Sequence, residues 1–130
     1  MRFLIDTHVL IWWSTLDRRL SNKARAAIDS ATHDLVISAV SAWELAIKSG
    51  LGKVDLSPSD STQDFMQRLS DDGRFQMLDI TWQHAAAVQT LPPLHADPFD
   101  RLLIAQAQSE HLTLLTDDRH IGRYEVNAYW

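Results

Sequence analysis

Four acidic residues stand where a carboxylate could do chemistry. Asp6 closes the apolar run Phe3-Leu4-Ile5, and Glu44 sits among Trp43, Leu45, Ala46 and Ile47. Asp100 follows Asp97-Pro98-Phe99, and Asp118 follows Leu114-Leu115-Thr116-Asp117. Carboxylates brought together repel one another and raise each other's pKa values, a strain that a hard divalent cation relieves. An all-oxygen donor set favours Mg2+ or Mn2+ over zinc or copper. A cation held with open positions binds a phosphate oxygen and activates a water for in-line attack. That chemistry is phosphodiester hydrolysis, and it requires no nucleophilic side chain.

Each acid also has a plainer reading. Asp6 before Thr7 suits a helix cap, and Asp97 before Pro98 is a helix-start pair in its own right. Asp100 in a first helical turn complements the helix dipole, and Asp117 and Asp118 both suit a turn. Glu44, within an apolar stretch, is the hardest to explain as a solvated acid. Position alone therefore leaves open which member of each Asp97/Asp100 and Asp117/Asp118 pair matters.

The elements that must position these acids can be read from hydrophobic periodicity and caps. Residues 2–5 read as a short buried strand, His8 to Trp13 as a helix, and Leu16–Leu20 as a polar turn. Ser21 caps a helix over 22–32, followed by a strand Leu35-Val36-Ile37. Ser38 or Ser41 opens a helix stopped by Gly50 and Gly52, and Asp60 or Ser61 caps another that reaches about Ser70. Phe75 to Ile80 is a third strand, and Thr81 caps a helix to about Thr90. Asp97-Pro98 starts a helix to about Glu110, Leu112 to Thr116 forms a fourth strand, and Glu125–Ala128 a fifth at the edge. Strands alternating with helices imply βαβ units and a mainly parallel sheet covered on both faces, an α/β fold forming one domain over 1–130. Ligand sites in such sheets lie beyond the carboxyl ends of the strands, where all four acids fall.

Composition excludes several alternatives. The chain has 130 residues, no cysteine and a net charge of −5, so thiolate metal sites, cysteine nucleophiles and a broad basic nucleic-acid face are ruled out. No apolar run approaches the roughly 20 residues a membrane helix needs, and the N-terminus lacks a signal-peptide shape, so the expected location is cytoplasmic. Gly50-Leu51-Gly52-Lys53 lacks the phosphate-loop spacing, the six histidines show no paired ligand spacing, and no Gly-x-Ser-x-Gly elbow occurs. Contacts to phosphate would come from Lys48, Arg101 and Arg119, which adjoin the acids, or these would pair with the acids instead. Most of the five tryptophans are expected in the core, with Trp12 or Trp13 as a partner anchor.

At the same residues the chain resembles a PIN domain, and within that superfamily the VapC-type toxins of bacterial toxin–antitoxin pairs. Phe3-Leu4-Ile5-Asp6-Thr7-His8 resembles the first motif, a strand ending in Asp-Thr. The stretch from Ile37 to Leu45 resembles the second, with Glu44 at the position of its acid. His95-Ala96-Asp97-Pro98-Phe99-Asp100-Arg101 matches the His-x-Asp-Pro-Phe-Asp-Arg motif of one VapC subgroup, and Leu112 to Asp118 resembles the final strand with its Thr-x-Asp. The resemblance implies a three-layer α/β/α sandwich and Mg2+- or Mn2+-dependent endoribonuclease activity. Its register assigns the acids to Asp6, Glu44, Asp100 and Asp118, with Asp97 as helix cap, Asp117 as an additional acid, and Thr116 as a group that orients a carboxylate or bound water. It also implies a homodimer and a small cognate antitoxin lying across the acidic pocket. The contrasting possibility is a non-catalytic, receiver-like module with an acidic metal pocket. That would need a lysine near the end of a later strand, where this chain has Thr116-Asp117-Asp118.

Overall fold

The computed structural model describes all residues, Met1 to Trp130. Eleven elements follow in the order β1 (Arg2–Ile5), α1 (Thr7–Ser14), α2 (Asn22–Asp29), β2 (Asp34–Ser38), α3 (Ala39–Gly50), α4 (Thr62–Asp71), β3 (Phe75–Leu78), α5 (Trp82–Ala87), α6 (Pro98–Glu110), β4 (Thr113–Leu115) and β5 (Ala128–Tyr129). The strands pair in the order β3-β2-β1-β4-β5, and every pairing is parallel.

Side chains alternate across a strand, so consecutive residues feed opposite faces of the sheet. Phe3 and Ile5 of β1, Leu35 and Ile37 of β2 and Leu115 of β4 enter one core, with Val9, Leu10, Ala24, Ile28, Phe65 and Leu69 from α1, α2 and α4. Leu4, Val36 and Leu114 enter a second core on the other face, built mainly on Leu102, Leu103, Ile104 and Ala107 of α6. Two buried faces on one sheet give the three layers expected. They also explain why these strands read as unbroken apolar runs.

Capping fixes where the site-bearing helices begin. Ser38 caps α3 by accepting from the Val40 N–H, and Ser61 caps α4 by accepting from the Asp64 N–H. Several boundaries differ from the sequence-based expectation. The helix expected over 22–32 stops at Asp29, because Ser30 turns extended and pairs its hydroxyl with Thr32 Oγ1 at 2.8 Å, a local bond that competes with helix. β3 ends at Leu78, where its partner β2 ends at Ser38 and no longer offers a ladder. α5 gives way to a 3₁₀ turn over Val88–Thr90. The edge strand is Ala128–Tyr129 rather than 125–128, in register with Leu114 and Leu115.

The tryptophans are not core residues as expected. None is fully buried; Trp12, Trp13 and Trp130 pack against the rim of the first core, and Trp82 is 76% exposed. No helix is long and apolar enough to cross a membrane.

Candidate active site

Parallel pairing brings the carboxyl ends of β1, β2 and β4 to one edge, and the proposed acids arrive there from four different elements. Asp6 follows β1 and is the N-cap of α1, with Oδ1 accepting from the Thr7 N–H at 2.7 Å. Its other oxygen accepts from Thr116 Oγ1, just past β4, at 2.6 Å. Asp6 is 1% exposed. Burial raises its pKa above the ordinary carboxylate value, against the opposing pull of the nearby His8 and of these hydrogen bonds. The cap reading of Asp6 is therefore real, yet a simple cap has no need to be desolvated.

Glu44 lies on α3 and is 5% exposed. One oxygen pairs with Lys48, one turn along the helix. The other, Oε1, is the one buried side-chain polar atom in the chain with no hydrogen-bond partner. Buried polar groups in folded proteins are nearly always satisfied, so an orphaned carboxylate oxygen is an anomaly that asks for a cation.

Asp97 and Asp100 make different hydrogen bonds. Asp97 caps α6, its Oδ1 accepting from the Phe99 N–H at 2.9 Å and the Asp100 N–H at 3.1 Å. Asp100 points its carboxylate to His95 Nε2 at 2.8 Å. Its pKa is pushed up to about 7, first by burial and then by the charge of Asp6, with Asp97 and Glu44 adding to the His95-opposed shift. Asp6, Glu44, Asp97 and Asp100 therefore share one electrostatic environment. Asp118 is linked to Asp6 only through Thr116: its N–H donates to Thr116 Oγ1 at 3.1 Å, while its Oδ1 accepts from the His120 N–H at 2.8 Å. Asp117 faces His8, with Oδ1 2.7 Å from Nε2.

Ligand atoms of His95, Asp97 and Asp100 lie within 4.8 Å of one another, close enough to hold a cation, whereas the four proposed acids do not draw together that tightly. The donor chemistry nevertheless fits a hard divalent ion. Two deeply buried carboxylates, one of them with an orphaned oxygen, stand beside a third with a raised pKa.

The three basic candidates separate. Lys48 is held on Glu44; partial burial works against its charge, but Glu44, Asp97 and Asp100 keep its pKa above the ordinary lysine value. Arg101, expected as a possible phosphate contact, is fully engaged elsewhere. Its guanidinium donates to the carbonyls of Val88, Leu91, Pro92 and His95 and to the Tyr124 hydroxyl, tying the 91–96 loop to α6. Arg119 is exposed in the turn after β4.

Three imidazoles flank the acids; the sequence suggests His8 and His95 near the site, in a structural or hydrogen-bonding role at least as readily, but not His120. His8 bridges Asp6 and Asp117, His95 holds Asp100, and His120 stacks on His95 with ring centroids 4.7 Å apart and planes within 1°. Short spacing from the acids, two residues for His8 and five for His95, was the available signal. Nothing local could announce the His95–His120 pair, because it is made by the fold.

A family model for the PIN domain matches residues 3–127. The chain is 34% identical over 119 residues, 91% of its length and 88% of the relative's, to Ribonuclease VapC22 of Mycobacterium tuberculosis (strain ATCC 25618 / H37Rv). Among solved structures, VapBC2 of Rickettsia felis, bound to a DNA fragment from its promoter, superposes with a TM-score of 0.70 at 15% identity, over 99% of this chain and 98% of that one. FitAcB of Neisseria gonorrhoeae superposes with a TM-score of 0.62 at 19% identity, over 98% and 96%. DNA-bound VapBC of Salmonella typhimurium gives 0.64 at 15%, over 99% and 97%.

Proposed function

The chain belongs to the PIN domain family, and on that premise we propose that it is an Mg2+- or Mn2+-dependent endoribonuclease, the toxin of a toxin–antitoxin pair. The observation that carries the reading is Glu44 Oε1, buried and unpartnered in a group of acids already strained by desolvation. In this reading Asp6, Glu44, Asp100 and Asp118 hold the ion, with Asp97 and Asp117 beside them. The ion would supply charge for a phosphate oxygen and a lowered pKa for an attacking water.

The chain's own residues set the stage for that chemistry. Thr116 donates to Asp6 Oδ2 and accepts from the Asp118 N–H, so one hydroxyl fixes two acids from different strands relative to each other. His95 orients Asp100, whose pKa is pushed up to about 7 by burial and neighbouring charge and would be lowered by a bound cation. Lys48 offsets part of the negative charge while keeping Glu44 in place. Arg119, exposed next to Asp118, is the basic side chain free to meet an RNA phosphate.

The similar solved structures named above include VapBC complexes, which supports an antitoxin as partner here. An acidic pocket would accept a basic antitoxin side chain. A homodimer is supported by Trp43 and Ile47 of α3 and by Leu51 at its C-cap, exposed apolar residues spaced four apart. The setting proposed is the cytoplasm.

Cleavage of total RNA by the purified chain tests the reading. Mg2+ or Mn2+ should be required, and Asp6→Asn or Asp100→Asn should lower the rate by roughly 1,000-fold or more, the several kcal/mol a metal's charge contributes. Wild-type rates in either variant, with contaminating nuclease excluded, would overturn the assignment.

A further inference from the structure

We propose that the His95–His120 pair is a base-stacking platform that grips one nucleotide of the RNA beside the cleaved bond, with the outer face of His120 as the contact. The inference rests on the ribonuclease reading and adds a substrate-contacting residue to it. His95 is fixed in the plane of its bond to Asp100, Nε2 to Oδ2 at 2.8 Å. His120 lies parallel to it, 1° between planes and 4.7 Å between centroids. His120 is in turn positioned by its backbone N–H on Asp118 Oδ1 at 2.8 Å and by the wholly buried Ile121 that follows it.

The pair thus leans on two of the proposed acids, Asp100 through His95 and Asp118 through the chain itself. One face of the His120 ring is covered by His95, and the residue is exposed. A flat ring rigidly held at the mouth of an acid pocket, with an open face, suits an unstacked nucleobase. Single-stranded RNA is commonly gripped by stacking its bases on such rings, without regard to base identity. The chain's net charge of −5 and the commitment of Arg101 to backbone carbonyls leave little basic surface for holding the strand by its phosphates. Stacking meets that need without charge. The aromatic contact on the other side of the site differs: Trp12 meets His8 edge-on, with 60° between planes, and Arg19 lies over the Trp12 ring.

The test uses the full chain with Mn2+ and a pool of random-sequence 12-nucleotide single-stranded RNA. KM and kcat are measured for wild type, His120→Ala and His120→Phe, and Mn2+ affinity is measured by titration in the absence of RNA. The expected result is a roughly tenfold rise in KM for His120→Ala, the worth of one base stack, with kcat and Mn2+ affinity little changed. His120→Phe, which keeps a ring but no nitrogen, should restore KM. The proposal is overturned if His120→Ala cleaves like wild type, if its loss lies in kcat or Mn2+ affinity, or if His120→Phe is no better than His120→Ala. A wild-type chain that cleaves no RNA would sink the ribonuclease reading together with this one. Cleavage abolished by Asp100→Asn but indifferent to His120 would sink this one alone.

Discussion

The two walls of the acid pocket are built differently. One wall, Asp6, Glu44 and Asp100, is anchored to β1, α3 and α6, with Asp6 and Glu44 at 1% and 5% exposure and Asp100 half-buried. The other, Asp117 to His120, is a turn after β4 with half-exposed and exposed side chains, held by hydrogen bonds and by the stacking of His120 on His95. The buried wall carries a standing electrostatic cost, because its carboxylates are desolvated and close to like charges. On the proposed reading the first wall holds a cation and the second meets the substrate, so the same substitution should do different things on each.

The largest contrast is expected between Asp100→Asn and Asp118→Asn. Both should nearly abolish RNA cleavage. In EDTA at pH 8, however, Asp100→Asn should raise the melting temperature by several degrees by removing a disfavoured charge. Asp118→Asn should leave it within a degree or two. Equal melting temperatures would erase the distinction between the walls.

Thr116→Val probes the link between the walls. Losing the hydroxyl removes a donor to Asp6 and an acceptor for the Asp118 N–H, and should lower activity about 10- to 100-fold with the Mn2+ affinity falling in step. Unchanged ion affinity in Thr116→Val, measured by titration, would mean that the hydroxyl does not set the acids.

The pH dependence of the ion-free chain sharpens the same point. Asp100 is protonated in the folded state up to about pH 7 but ionises near the ordinary value when unfolded. Between about pH 4 and 7 the folded state holds the extra proton, so stability falls as pH rises through that window and levels off above it. Thermal unfolding in EDTA should show this slope, and saturating Mn2+ should flatten it.

The smallest effect on cleavage is expected at Arg101. Arg101→Ala strands the carbonyls of Val88, Leu91 and Pro92 and should cost about 2 kcal/mol of stability, seen as a lower denaturant midpoint. Turnover per folded molecule should stay within a few-fold of wild type.

What the sequence revealed follows from how local each signal was. The unbroken apolar runs Phe3-Leu4-Ile5 and Leu35-Val36-Ile37 announced strands buried on both faces, and Asp97-Pro98 announced the start of α6 to the residue. Asp6 was legible because a strand-end acid and a helix cap coincide there. Arg101, readable as a phosphate contact, a partner of the acids or a solvated side chain, instead bonds backbone carbonyls, because adjacency to Asp100 in sequence places the two a helical step apart, on different sides of α6. The tryptophans were misplaced because bulk apolar character predicts burial in general, whereas these rings lie at rims and surfaces where nothing in their local sequence distinguishes them. His120 was invisible, since its partner stands 25 positions earlier and only parallel stacking of the finished fold joins them.

The bond from Thr116 to Asp6 has a consequence for how the protein is born. Its two ends are separated by 110 residues, and β4 is the next-to-last strand made. At ordinary synthesis speeds Asp6 leaves the peptidyl-transferase centre roughly 5–20 s before the hydroxyl that will hold it exists. A nascent chain in that interval has β1, β2 and the buried acids but neither Thr116 nor Asp118. The proposed acid site is therefore completed only when the last strands of the sheet have been made.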